Sequence, residues 1–309
     1  MSTSRPPTPD ASRAWRPAGP VDVRRTLGIL AKGPYDPAHQ VAPDGAVWRA
    51  SRMATGPVTY RVSARDGEVR VDAWGDGADE LAAEAPTLLG EDDDRSGFDP
   101  RIPVVARALQ RHPGLRLPRQ RRIFETLIPA ILEQRVPGVD AYAAWRRLLR
   151  TYGEPAPGPT PVPMVVPLAP AQWRGLPSWA WHRAGVDPAR SRTAVTVAQR
   201  APAVERLVDR SYAEASAALQ SLPGIGVWTS AEVLQRLGDP DAVSVGDYNL
   251  AKDVGWAFVG EPVDDARMLE ILEPWRGHRG RVIHLLYADG ALARPRRGPR
   301  ITRMDHRRR

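Results

Sequence analysis

The sequence predicts an α+β protein: a small antiparallel sheet with flanking helices, then an all-helical unit. Three observations carry the prediction. Short β-prone stretches with alternating side chains, set apart by turn residues, fill positions 46–74. From Pro118 onward the apolar residues recur at helical spacing. Further on, the run Leu222-Pro223-Gly224-Ile225-Gly226-Val227-Trp228 reads as a tight turn between two helices.

Residues 1–20 are rich in Ser, Pro and Arg and have no apolar centre, so they are expected to be disordered and not a secretory signal. The N-terminal α/β unit is placed at 21–116, with strands at 46–53, 58–64 and 68–74. Thr55-Gly56-Pro57 and Arg65-Asp66-Gly67 separate them as hairpin turns. A helix follows at 78–89, its apolar face formed by Leu81, Ala85, Leu88 and Leu89. Asp92-Asp93-Asp94 reads as a solvated turn rather than a metal site.

The helical unit is placed at 117–292. Ile123, Phe124, Leu127, Ile128, Ile131 and Leu132 form a core-facing stripe, and Pro129 within it is expected to kink that helix or mark its start. A second helix spans 139–152. The Pro-rich stretch 154–170 predicts an extended connection across the surface. Helices resume at 171–176, 187–200 and 212–219. Trp256, Leu269, Ile271, Leu272 and the run 282–287 complete an all-helical C-terminal half.

Composition excludes several classes. With zero cysteines there are no disulfides, thiolate zinc sites or iron–sulfur clusters. No apolar run approaches the ~18 residues a membrane helix needs. No Ser/His/Asp set or metal cluster stands out, and the six histidines are scattered. No cofactor is expected, and the protein reads as a cytoplasmic, nucleoid-associated monomer. The net charge is +8, and the segment 291–309, with eight Arg and one Asp, carries seven of those charges. This basic tail, placed at 293–309, suits sequence-independent attraction to a polyanion, or is simply a solvated end.

The Pro-Gly-x-Gly turn carries the chemistry. Its glycines leave bare N–H groups at the start of the second helix, where the helix dipole also favours an anion such as phosphate. Asp247, in Val245-Gly246-Asp247-Tyr248-Asn249, follows Trp228 by nineteen positions. A carboxylate there can face the nucleotide to which that phosphate belongs, or it can simply cap the next helix.

Turn, helix and acid in this order resemble the helix–hairpin–helix DNA glycosylases. Within them the chain is most similar to the bacterial 3-methyladenine DNA glycosylase II (AlkA-like) branch. Arg25-Thr26-Leu27-Gly28-Ile29-Leu30, Phe98-Asp99-Pro100 and His112-Pro113-Gly114-Leu115-Arg116-Leu117 resemble landmarks of that branch's N-terminal domain. Ala130-Ile131-Leu132-Glu133-Gln134, Trp275-Arg276 and Tyr287-Ala288-Asp289-Gly290 resemble its later helices, so the likeness covers roughly residues 21 to 292.

The resemblance implies a monofunctional N-glycosylase that flips alkylated purines (3-methyladenine or 7-methylguanine) out of double-stranded DNA in base excision repair. Asp247 takes the catalytic role, stabilising the sugar cation and orienting water. Trp228 stands where strand-cutting relatives carry a lysine nucleophile, so no lyase activity is expected. Trp228 and Tyr248 suit stacking on an electron-poor base. Gly224, Ile225 and Gly226 would offer main-chain contacts to DNA, Thr229 or Ser230 a hydroxyl, and Gln134 support for the inserting loop. Arg135 lies at the position of the wedge that fills the gap left by the base. The same hairpin in the family often holds a monovalent cation on main-chain carbonyls.

Three departures bear on the substrate. Glu232 and Leu286 (the latter beside Tyr287) stand where the family places further pocket aromatics, Asn249 stands where many relatives carry His, and Arg135 replaces the usual Leu wedge. Glu232 reads as an exposed helix residue, with a second pocket acid as the alternative. A glycosylase for a deaminated, oxidised or crosslinked base is the competing enzyme reading. A non-catalytic DNA-binding module is the other, and the Asp247-Tyr248 pair argues against it.

Overall fold

The computed structural model describes residues 7–292. The basic tail and residues 1–6 lie outside the described residues. The first element already departs from expectation. Strand β1 (Ala11–Trp15), within the stretch expected to be disordered, is an edge strand. It is followed by helix α1 (Val23–Gly28), capped by Asp22, and by strands β2 (His39–Val41), β3 (Val47–Arg52), β4 (Pro57–Arg65) and β5 (Glu68–Trp74). The antiparallel order is β1-β5-β4-β3-β2. β1 takes its order from its partner: Ala11 faces Ala73, Trp15 faces Val69, and Ser12 Oγ donates to Asp72 at 2.7 Å. Arg116 then holds the carbonyls of Gly19 and Pro20.

The β4–β5 turn places Asp66 and Gly67 at φ 52° and 76°, the paired positive values that match strand twist in a tight hairpin. Helix α2 (Ala78–Leu88) covers one face of the sheet, where Leu81, Ala85 and Leu88 join Val58, Val62 and Val71 in one core. Helix α3 (Pro103–Arg111) ends the N-terminal part. Asp93 in the preceding loop is not a solvated turn residue. Its side chain is 3% exposed and pairs with Arg281 at 2.7 Å.

Helix α4 (Ile123–Glu133) is the centre of the helical part and is apolar nearly all round. Pro129 neither starts nor ends it but lies within it. Its bare N-terminal amides are met by Glu205, whose carboxylate accepts from Ile123 N at 2.8 Å and Phe124 N at 3.1 Å. Helix α5 (Gly138–Tyr152) follows. The Pro-rich connection is more than a surface path. It forms a short hairpin, β6 (Glu154–Pro155) with β7 (Val165–Val166), that buries Met164, Val166 and Leu168 in the main core. Trp48 and Trp74 of the sheet, stacked 5.3 Å apart, join the same core.

Helices α6 (Pro170–Gly175), α7 (Ser178–Ala184), α8 (Pro188–Gln199), α9 (Ala201–Glu205) and α10 (Tyr212–Gln220) wrap α4. Then come α11 (Val227–Arg236), α12 (Leu250–Phe258), α13 (Asp265–Leu272) and α14 (Arg279–Asp289). The last three bury Val254, Leu272, Val282 and Leu286 against Val105 and Ala108 of α3. Trp256 is exposed on α12. No helix among the described residues is long and apolar enough to cross a membrane.

Candidate active site

The hairpin is built between α10 and α11. Ser211 opens α10 with a capping box, its hydroxyl facing Glu214 N while the Glu214 carboxylate accepts from Ser211 N. After Gln220 the chain turns through Leu222 O, which accepts from Ile225 N at 3.0 Å. Gly224 sits at φ 85°, and a Cβ there would fall on the Thr193 hydroxyl, so both backbone and space demand glycine. The first α-helical bond of α11 is Ser230 N to Gly226 O, which leaves the preceding amides without intrahelical acceptors. Val227 stands exposed at this tip, and Ile225 is tucked into the main core.

Gln134, at the end of α4, clamps the hairpin from behind. Its Nε2 donates to Gly224 O and to Thr229 Oγ1, each at 2.9 Å. Thr229 and Ser230, expected to offer hydroxyls outward, are both buried. Thr229 accepts from Gln134, and Ser230 pairs with Ser216 at 3.1 Å. Arg135, next in the chain, is exposed and held at φ 55°, a left-handed conformation costly for a side chain of this size. Leu222 O and Gly224 O at the turn each accept one hydrogen bond, from Ile225 N and from Gln134 Nε2.

Trp228 and Asp247 come together. The indole Nε1 donates to Asp247 Oδ2 at 3.1 Å. Asp247 Oδ1 accepts from Asn249 N at 2.8 Å and Leu250 N at 2.9 Å, so the same carboxylate caps α12. Both readings of Asp247, cap and facing acid, are therefore geometrically compatible: one oxygen caps, and the other keeps an acceptor position beside the indole. Tyr248 is 81% exposed, with Lys252 Nζ 4.1 Å from its ring centroid. Tyr287 on α14 is half exposed.

Two pocket expectations are corrected. Leu286 is fully enclosed in the core of α3 and the last helices. Glu232 is not an exposed helix residue. Its carboxylate accepts from Ser244 Oγ at 2.6 Å and from Arg236 at 3.0 Å, and the Arg236 Nε reaches Ile29 O at 3.1 Å. Burial pushes Glu232 up, but Arg236 and Ser244 outweigh it and hold the carboxyl below its ordinary range. Ser244 O in turn accepts from Asp247 N at 3.1 Å, tying this network to the acid.

Sequence reasoning missed one group nearby. Lys32 Nζ lies 2.7 Å from Glu133 Oε1, beside the half-buried Tyr142. Burial, followed by the neighbouring Arg236, lowers the Lys32 ammonium below an ordinary lysine. Burial, with Glu133 adding to it, pushes Tyr142 up to about 12, so its phenol stays protonated. The available signals were that Lys32 is one of two lysines and that Glu133 adjoins Gln134.

Solved structures share this architecture over nearly its whole length. The chain is similar to a 3-methyladenine DNA-glycosylase from Archaeoglobus fulgidus, at 16% identity and a TM-score of 0.74, covering 90% of this chain and 98% of that one. The fold is that of the helix–hairpin–helix DNA glycosylases. A Clostridium acetobutylicum 8-oxoguanine glycosylase/lyase shows the same glycosylase fold, at 12% identity and a TM-score of 0.71, covering 93% of this chain and 99% of that one. No family model matches the sequence, and no curated protein matches it.

Proposed function

We propose that this chain is a monofunctional DNA N-glycosylase that extrudes an alkylated purine, of the 3-methyladenine or 7-methylguanine type, and hydrolyses its N-glycosidic bond. The observation that carries the proposal is the Asp247 carboxylate, fixed by the Trp228 indole and the α12 amides beside a hairpin with bare N–H groups. Breaking the C1′–N bond builds positive charge on the sugar. A preorganised carboxylate stabilises that charge without reorganising and orients the attacking water. An alkylated ring nitrogen makes the base cationic, so it departs without an acid. The α11 amides grip the backbone phosphate. A monovalent cation held on hairpin main-chain carbonyls would add positive charge there. Arg135, already held in its strained conformation, enters the duplex where the base has left. Trp228 occupies the lysine position of strand-cutting glycosylases, so the product is an uncut abasic strand.

The test is base release from alkylated duplex DNA by the wild type and by Asp247→Asn. The expected result is 3-methyladenine or 7-methylguanine freed by the wild type alone, with the strand intact and the variant still binding DNA. Equal release by both proteins removes Asp247 from the mechanism. Binding with no release by either leaves a glycosylase for another base or a DNA-binding module. The two similar solved structures, one a 3-methyladenine and one an 8-oxoguanine enzyme, support a glycosylase without choosing the base.

A further inference from the structure

We propose that Lys32, Glu133 and Tyr142 form the polar wall of the base pocket and read the Watson–Crick edge of a guanine-type base, making 7-alkylguanine the preferred alkylated purine. The inference rests on the reading of Asp247 as the residue at the sugar.

The wall is built before any ligand arrives. Asp36 fixes the loop that carries Lys32: its carboxylate accepts from Lys32 N at 2.8 Å, Ala38 N at 3.0 Å and Trp145 Nε1 at 2.9 Å. Gly33 turns this loop at φ 81°, and a Cβ there would stand 2.8 Å from Cδ2 of Tyr142. Only glycine lets the loop lie against that ring. The Tyr142 hydroxyl makes no hydrogen bond among the described residues.

Its position fits a base whose sugar is at Asp247. Glu133 adjoins Gln134, which grips the hairpin at Gly224 and Thr229. Trp228, Glu232 and Arg236 follow one another at four-residue intervals along one face of α11. Lys32 feels the charges of both Arg236 and Glu232. Glu232 stands one helical turn, ~6 Å, and Arg236 two turns, ~12 Å, along α11 from Trp228. The shorter of these separations is comparable with the reach from C1′ to the far edge of a purine.

The donor and acceptor order selects the base. Lys32 spends one of its three N–H groups on Glu133 and keeps donors for a purine O6. Glu133 keeps Oε2 for N1–H and the 2-amino group, and Tyr142 can donate or accept at the margin. A guanine edge presents that sequence, an acceptor beside two donors. An adenine edge sets its 6-amino donor against the Lys32 donor. The ion pair persists throughout, so no buried charge is left uncompensated. The ring charge that N7-alkylation creates strengthens donation from N1–H to the carboxylate.

The experiment incubates the full chain with methylated duplex DNA containing both 7-methylguanine and 3-methyladenine and follows each free base under single-turnover conditions. Wild type is expected to release 7-methylguanine faster than 3-methyladenine. Lys32→Met and Glu133→Gln are expected to lower 7-methylguanine release roughly 10–100-fold, with 3-methyladenine release changed by less than about threefold. Tyr142→Phe should act in the same direction but less. A parallel loss of both bases in the variants, or a wild type that prefers 3-methyladenine, overturns the inference and leaves the glycosylase reading intact. No release of either base by the wild type overturns that reading instead. Should Lys32→Met fail to fold, the wild-type preference and Glu133→Gln decide.

Discussion

The two oxygens of Asp247 have separable duties, and substitutions can part them. Oδ1 caps α12 and Oδ2 receives the Trp228 indole. Asp247→Asn keeps an acceptor for the cap while removing the charge, so stability should change little and base release should fall by at least about 100-fold, as when other preorganised charge-stabilising groups are lost. Asp247→Ala should in addition lower stability by about 1 kcal/mol through the lost cap, read as a shift in chemical denaturation midpoint. Trp228→Phe keeps a ring for stacking but deletes the N–H that aims the carboxylate. A hydrogen bond to a charged group is worth about 1.5–3 kcal/mol, so a kcat loss of roughly 10–100-fold with little change in KM is expected. A variant that loses only KM would show that the indole serves binding and not the acid. At this scale the sequence was readable where the chemistry is local: nineteen residues separate Trp228 from Asp247, and the turn between two helices dictates their meeting. Lys32 and Glu133 lie 101 residues apart, and no periodicity relates them. Glu232 could be half read, since its i,i+4 partner Arg236 is in the sequence, but its burial under Ser244 depends on the later loop.

The hairpin functions as an element because α4 holds it. Without the Gln134 amide, Gly224 O and Thr229 Oγ1 lose their bridge, and the amides at the start of α11 are no longer fixed relative to Arg135. Gln134→Ala should therefore weaken duplex binding about 10-fold or more while leaving Asp247 in place, a change that fluorescence anisotropy on abasic duplex would register. Gly224→Ala combines a left-handed backbone with a clash on Thr193, so a loss of about 1–3 kcal/mol in stability should accompany the weakened binding. Unchanged affinity in both variants would remove the hairpin from the DNA interface. The same distinction between local and borrowed order explains which elements could be read. β5 matches its alternation residue for residue at 68–74, and α2 and α5 fall within a residue of their apolar stripes. β1 and the β6–β7 hairpin have little hydrophobic pattern of their own; β5 supplies the order of β1, and burial of Met164, Val166 and Leu168 in the main core fixes the β6–β7 hairpin. α7 is seven residues long, too short for a periodic signal, and its helicity comes from burying Trp181 against Trp173 at 5.5 Å.

Across the whole molecule, the buried His39 and the part-buried His284 and Glu205 set a pH response whose sign can be worked out. Burial, followed by Arg49, lowers His39 to about 3, and burial, followed by Arg236, lowers His284 to about 4. Each folded value lies below the ~6.5 of an unfolded histidine, so their contribution is complete above that pH and is lost as the pH falls toward 4 and below. Glu205 runs the other way. Burial raises it to about 7 despite the two α4 amides that favour its charge. Its contribution is complete below the unfolded carboxylate range and is lost as the pH rises through about 7. Two histidines oppose one carboxyl between pH 4 and 6.5, so net stability should fall as the solution is acidified through that window. His284 Nε2 has no hydrogen-bond partner among the described residues, so an apolar replacement leaves no further polar group unpaired. His284→Leu should match the wild type near pH 8 and exceed it at pH 5, because the unfolded wild type gains a proton there that its folded state refuses. Glu205→Gln removes the carboxyl's opposing contribution, so its stability should rise with pH between 5 and 6.5 more steeply than that of the wild type. Thermal melts of the three proteins at pH 5, 6.5 and 8 separate these contributions. A wild type whose Tm is flat from pH 4 to 6.5 would mean that both imidazoles reach water in the folded state, contrary to the burial of His39 and of His284 Nε2.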